Sequence, residues 1–97
     1  MQLARVIGTL VSTRKDEKLE GLKFLIVRPV NLDGQDTSAA PVVAVDAVGA
    51  GVGEMVMIAT GSSARQTVIT DRRPCDAVIM AIVDTWEVGG QVKYRKD

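Results

Sequence analysis

The sequence predicts an all-β fold: a small five-stranded OB-like closed barrel with one short helix and a C-terminal hairpin. Apolar residues fall into five segments of similar length, separated by polar or glycine-rich connections. No window of ten or more residues holds a 3.6-residue period, which argues against a parallel sheet with crossover helices. A helix-start signal sits in the last long connection, where a small OB-type barrel has room for one.

In chain order, the first predicted strand is Leu3 to Val11, with Leu3, Arg5, Ile7, Thr9 and Val11 on one face and Ala4, Val6, Gly8 and Leu10 on the other. Ser12 to Gly21 is a charged loop and reads as a solvated connection. Leu22 to Val30 is the second strand, and Pro29 places its end at an edge or bulge. Asn31 to Pro41 is small, polar and turn-forming. The third and fourth strands, Pro41 to Val48 and Glu54 to Thr60, flank a glycine-rich turn. Ser63 followed by Gln66 fits a capping box, predicting one or two helical turns that end before the extended run Thr67 to Thr70. After the polar stretch Asp71 to Asp76, Ala77 to Trp86 forms the fifth strand. Gly89-Gly90 then turns a hairpin pairing Trp86–Val88 with Val92–Tyr94.

Three strands are apolar on both faces. Val78, Met80, Ile82 and Trp86 oppose Ile79, Ala81 and Val83; Val56 and Ile58 oppose Met55, Met57 and Ala59; Phe24 and Ile26 oppose Leu25 and Val27. Continuous apolar runs imply burial on both sides. Loops and the short helix are one possible cover. Other subunits are the favoured one, because patches of this size are rarely left open on a monomer. A barrel that uses two different outward faces assembles heterologously into a ring.

Composition narrows function. At 97 residues the chain is one domain, 1–97, whose own core is modest. Twelve Lys+Arg balance twelve Asp+Glu, so no basic excess favours nucleic acid or an anionic membrane. No apolar run reaches the ~18–20 residues of a membrane span. MQLARVIGTLVS lacks the pattern of a secretory signal, and a lone cysteine excludes an intrachain disulfide. The absence of histidine removes the commonest general base and metal ligand. One Trp, one Tyr and one Phe are few stacking platforms for the alternative reading, an OB-fold single-stranded nucleic-acid-binding module.

Two motifs stand out. GAGVGE, with Gly49, Ala50, Gly51, Gly53 and Glu54, has the wrong spacing for a dinucleotide loop and leads into a strand. Its glycines are expected to supply positive φ and close backbone approach. GSSAR, with Ser62, Ser63, Ala64 and Arg65, offers no base beside its serines, so no catalytic residue, cofactor site or metal site is expected. Cys75 is expected to be a small packed residue. Asp46 and Asp84 sit singly in apolar strands and need partners, for which Arg5, Arg28 and Arg65 are candidates.

LARVIGTLVST, GLKFLIVRPV, VAVDAVGAGVGE, MVMIATGSSAR and DAVIMAIVDTW, in that order, resemble the bacterial microcompartment vertex family EutN/CcmL over essentially the whole chain. The resemblance implies a non-enzymatic OB-like barrel forming a homopentamer that caps vertices of a polyhedral shell in the cytoplasm, beside hexameric shell proteins. It implies subunit-interface or fivefold-axis roles for Gly49–Glu54 and Gly61–Arg65, with Arg65 in an inter-subunit contact and Ser62–Ala64 lining a central pore. Complete GAGVGE and GSSAR motifs, with GGQV near the end, resemble metabolosome members more than carboxysome members.

Overall fold

β1, Gln2–Leu10, pairs antiparallel with both β2, Phe24–Pro29, and β4, Met55–Thr60, and so closes a sheet on itself. The computed structural model describes all residues, 1–97. β3 is Val42–Asp46 and β5 is Ala77–Ile82, and the barrel order is β1-β2-β3-β5-β4. β3 and β5 are the one parallel pair; every other pairing is antiparallel. Outside the barrel, β6, Thr85–Val88, and β7, Gln91–Arg95, form a separate hairpin. The longest dimension of the molecule is 46 Å, against 24 and 23 Å across it.

Inside the barrel, Ala4, Val6, Leu25, Val27, Val56, Ile58 and Ile79 pack as one buried cluster. Two bulges break the strict alternation expected from the sequence. In β1 the register shifts between Val6 and Gly8, so Gly8 and Leu10 pair with the outward residues Ile26 and Phe24 instead of continuing the face of Ala4 and Val6. In β5 the register shifts opposite Met57/Ile58, so Ile82 faces Val56 and packs with the inner core rather than sharing a face with Val78. One extra residue in a strand moves everything after it to the other side.

The expected fifth strand also divides. The N–H of Val83 still reaches the carbonyl of Met55 at 2.8 Å, but the chain then leaves the barrel. Asp84 is exposed, not buried within a strand, and its carbonyl accepts the N–H of Lys96 at 2.7 Å. Trp86 therefore belongs to the hairpin sheet. Its ring stacks on Tyr94, centroids 4.8 Å apart and planes 18° apart, while its indole N–H donates to the carbonyl of Leu32 at 2.7 Å. The hairpin thus leans on the Asn31–Pro41 loop.

Part of the second apolar face is covered within the chain. Val45, Ala59 and Val78, on the outside of β3, β4 and β5, form a small second cluster with Ala64, flanked by Phe24 and Cys75. Ala64 belongs to a 3-10 turn, Gly61–Arg65, which takes the place of the expected α-helical turns. No capping box forms there: Thr60 is the cap residue and makes no side-chain bond, and Ser63 instead accepts the N–H of Gln66 through its carbonyl at 3.2 Å. Thr67 to Thr70 is a turn rather than extended chain. Each threonine's N–H donates to the other's Oγ1, at 3.3 and 3.0 Å, and the two hydroxyls lie 2.6 Å apart. Local side-chain bonds of this kind outcompete β propensity. The charged loop Ser12–Gly21 carries a further 3-10 turn, Glu17–Leu19, capped by Asp16.

Candidate functional site

GAGVGE is a turn held from three sides. Asp46, 7% exposed at the end of β3, accepts the N–H groups of Val48, Gly49 and Ala50 on Oδ1 at 3.0, 3.0 and 3.2 Å. A buried carboxylate needs such partners. They come from the backbone that follows it and from Lys23, whose Nζ lies 3.4 Å from Oδ2, rather than from Arg5, Arg28 or Arg65. Arg5 instead donates to the carbonyl of Gly34 at 3.0 Å. On the β1 side, Gly53 donates to the carbonyl of Val6 at 2.8 Å, and Val6 donates back to that of Glu54 at 3.0 Å. Gly49 and Gly53 take φ of +80° and +91°, the left-handed region that favours glycine. Ala50 is buried in the barrel core, so the turn is pinned by its own side chain as well.

Glu54 closes the turn. Its Oε1 accepts the N–H of Gly51 at 2.6 Å and its Oε2 lies 2.6 Å from Nζ of Lys96. The Lys96 hydrogen bond, and after it the Gly51 N–H, hold this carboxyl below the ordinary glutamate value of 4.5. The same bond raises Lys96 above its ordinary value. Lys96 was not legible as a partner of the motif, since 42 residues separate the two.

GSSAR lies at the other end of β4. Six strand residues at ~3.3 Å each place it ~20 Å from GAGVGE, so the two motifs do not form one site within a subunit. Ala64 is fully buried, which leaves Gly61, Ser62, Ser63 and Arg65 as the exposed part of the segment. The Arg65 side chain makes no ion pair or hydrogen bond within the chain. Cys75 lies under this turn, its Sγ 3.8 Å from the carbonyl of Ala64, and burial pushes the thiol up. It is a packed residue, as expected.

The arrangement is one of packing and turns rather than of reacting groups. No three of the Asp, Glu and Cys side chains converge as a metal site. Two of the three aromatics occupy each other's faces, and the third, Phe24, flanks the second cluster.

The closed five-stranded barrel with a turn at each end of β4 is the fold of one class of small β-barrel proteins, to which the comparisons assign it. The EutN_CcmL model, "Ethanolamine utilisation protein EutN/carboxysome", matches residues 1–84, and the chain belongs to that family. The matched span ends where the chain leaves the barrel. The chain is 44% identical over 96 residues, covering 99% of it and 95% of the relative, to the carboxysome shell vertex protein CcmL of Nostoc. It is 47% identical over 88 residues, 88% of this chain and 97% of the relative, to the bacterial microcompartment shell vertex protein PduN of Salmonella typhimurium. Among solved structures, Nostoc CcmL superposes with a TM-score of 0.93 at 44% identity, covering 99% of this chain and all of that one. GrpN of Rhodospirillum rubrum, a pentameric microcompartment shell protein, superposes with a TM-score of 0.82 at 44% identity, covering 91% and 99%.

Proposed function

We propose that this chain is a structural, non-enzymatic shell subunit whose copies close into a homopentamer at the vertices of a bacterial microcompartment, in the cytoplasm. The observation that carries this is a match over nearly the whole chain to relatives named as shell vertex proteins, one of them named as pentameric. The physical support is apolar surface left uncovered on the barrel, including Ile7, Val43 and the turn residue Val52, which is 62% exposed. A ring buries such faces by pairing two different patches of each subunit. Flat hexagonal layers do not close on themselves, so fivefold units at the corners imply hexameric shell proteins as neighbours. In this reading, the exposed residues of Gly49–Glu54 and of Gly61–Arg65 meet neighbouring subunits or the fivefold axis, with Ser62 and Ser63 at a central pore.

Light scattering tests the ring. The expected mass is five times the 10.4 kDa subunit, and a stable monomer across micromolar concentrations overturns the proposal. The cargo proposal is a metabolosome, supported by the complete GAGVGE, GSSAR and GGQV motifs. Relatives named for carboxysomes and for other microcompartments match at similar identity, 44% and 47%. The genes flanking this one decide between them.

A further inference from the structure

A hollow on the barrel's outer end lies between the 3-10 turn Gly61–Arg65 and the turn Asp71–Pro74, with Lys18 of the charged loop on its rim. Four of its lining side chains are cations, Lys18, Arg65, Arg72 and Arg73; one, Asp71, is a carboxylate; the others are Ser62, Gln66 and Pro74. The chain as a whole is neutral, so an excess of three positive charges in one concavity is a local concentration rather than an average property. None of the four cations is in an ion pair within the chain. Asp71 offsets only one of the four like charges, and an anion among the rest relieves their mutual repulsion.

The hollow is also built. Arg73 donates through Nη1 to the carbonyls of Lys18 and Glu20 at 3.2 and 2.7 Å, which ties two loops more than fifty residues apart and fixes its guanidinium in place. Its remaining donors are left free of partners in the chain. Arg72 is the one non-glycine residue with positive φ, at 59°, in a turn braced by the N–H of Arg73 on the carbonyl of Thr70 at 2.9 Å. Backbone held in that region by its surroundings aims the side chain. Ser62 and Gln66 add neutral hydrogen-bond donors to the same wall.

We propose that this hollow is a binding site for a doubly charged tetrahedral oxyanion, the phosphate group. Guanidinium forks match the oxygens of such a group in pairs, and convergence of several in one concavity selects two charges over one. All the lining residues come from one chain, and on the pentamer reading Ser62 and Arg65 of this wall also face a neighbouring subunit or the fivefold axis, so the assembly state is read separately from anion binding.

The test uses the purified full chain and two variants, Lys18→Gln and Lys18→Gln/Arg72→Asn, none of which alters Arg65. Asparagine tolerates positive φ, so the second substitution removes a charge without straining the turn. Calorimetric titrations with inorganic phosphate are compared with sodium chloride at equal ionic strength. The wild type is expected to bind phosphate saturably, the single variant several-fold more weakly, and the double variant at least tenfold more weakly. Glycerol phosphate run in parallel separates the sources: binding as tight as inorganic phosphate supports a site for a phosphorylated small molecule, and binding of the free ion alone supports a site for inorganic oxyanion. A wild-type response indistinguishable from chloride overturns the proposal. So does a double variant that keeps its melting temperature and binds phosphate like the wild type. Light scattering on the same samples reports the assembly state separately.

Discussion

Asp46 carries the GAGVGE turn more directly than any glycine in it. Its Oδ1 takes three backbone N–H groups, and removing it leaves them without that acceptor in a turn where Ala50 is buried. Asp46→Ala is expected to lower stability by about 1–3 kcal/mol in urea unfolding, and Asp46→Asn, which keeps a carbonyl oxygen, by less. Equal losses for the two would show that the Lys23 contact, rather than the three N–H bonds, matters. Glu54 sets a pH dependence. Its carboxyl titrates lower in the folded chain than in the unfolded one, chiefly through Lys96. The stabilisation is therefore fully present above the unfolded value, near 4.5, and is lost as pH falls through the lower folded value. Lys96, raised by the same bond, loses its share only as pH climbs above 10.5. Glu54→Gln should flatten the acid limb of a melting-temperature profile, and an unchanged limb would place the effect elsewhere. Of these residues, the sequence marked Asp46 as needing a partner and Glu54 as part of a motif. The partners stayed hidden because Lys96 lies 42 positions from Glu54 and because a backbone N–H carries no residue label.

At the scale of elements, the hairpin behaves as an appendage. It shares no strand pairing with the barrel and is fastened by Trp86 on the carbonyl of Leu32, by Lys93, 3.5 Å from Asp33, and just past its end by Lys96 on Glu54. Trp86→Ala is expected to free the hairpin and the facing loop while the barrel stays folded. In hydrogen exchange, protection should fall around 31–36 and 85–95 and persist at Leu25–Val27 and Val56–Ile58. Because Trp86 is only partly buried, the cost should lie below the ~3–5 kcal/mol of a fully buried tryptophan. Loss of protection throughout would mean that the hairpin is integral to the barrel. The five barrel strands and the hairpin were legible because apolar runs and Gly89-Gly90 are local signals. The break at Val83-Asp84 was not. Ala77 to Trp86 reads as one strand in composition, and the exit is set by where β4 ceases to offer partners, after the Met55 carbonyl.

For the whole molecule, the balance between cover supplied by the chain and cover supplied by copies is what assembly turns on. Ala64 and Cys75 seal one end of the outer face, while Ile7 and Val43 stay open. Arg65 is exposed and its side chain bonds to nothing in its own chain, so its loss should change folding by no more than about 0.5 kcal/mol. Arg65→Ala is nevertheless expected to raise the monomer fraction on dilution, read as mass by light scattering. An unchanged mass with a collapsed melting temperature would remove Arg65 from the interface.

By itself the sequence determined the class of fold, the glycine turns and the family. Each rests on residue type, order or short spacing. Tertiary structure alone decided which face each apolar residue takes around the bulges at Ile7 and Met80, and what covers Val45 and Val78. It alone decided that Lys18 lines one hollow with Arg65 and Arg72. A single inserted residue reverses a strand's faces, and a contact across fifty positions leaves no trace in local periodicity.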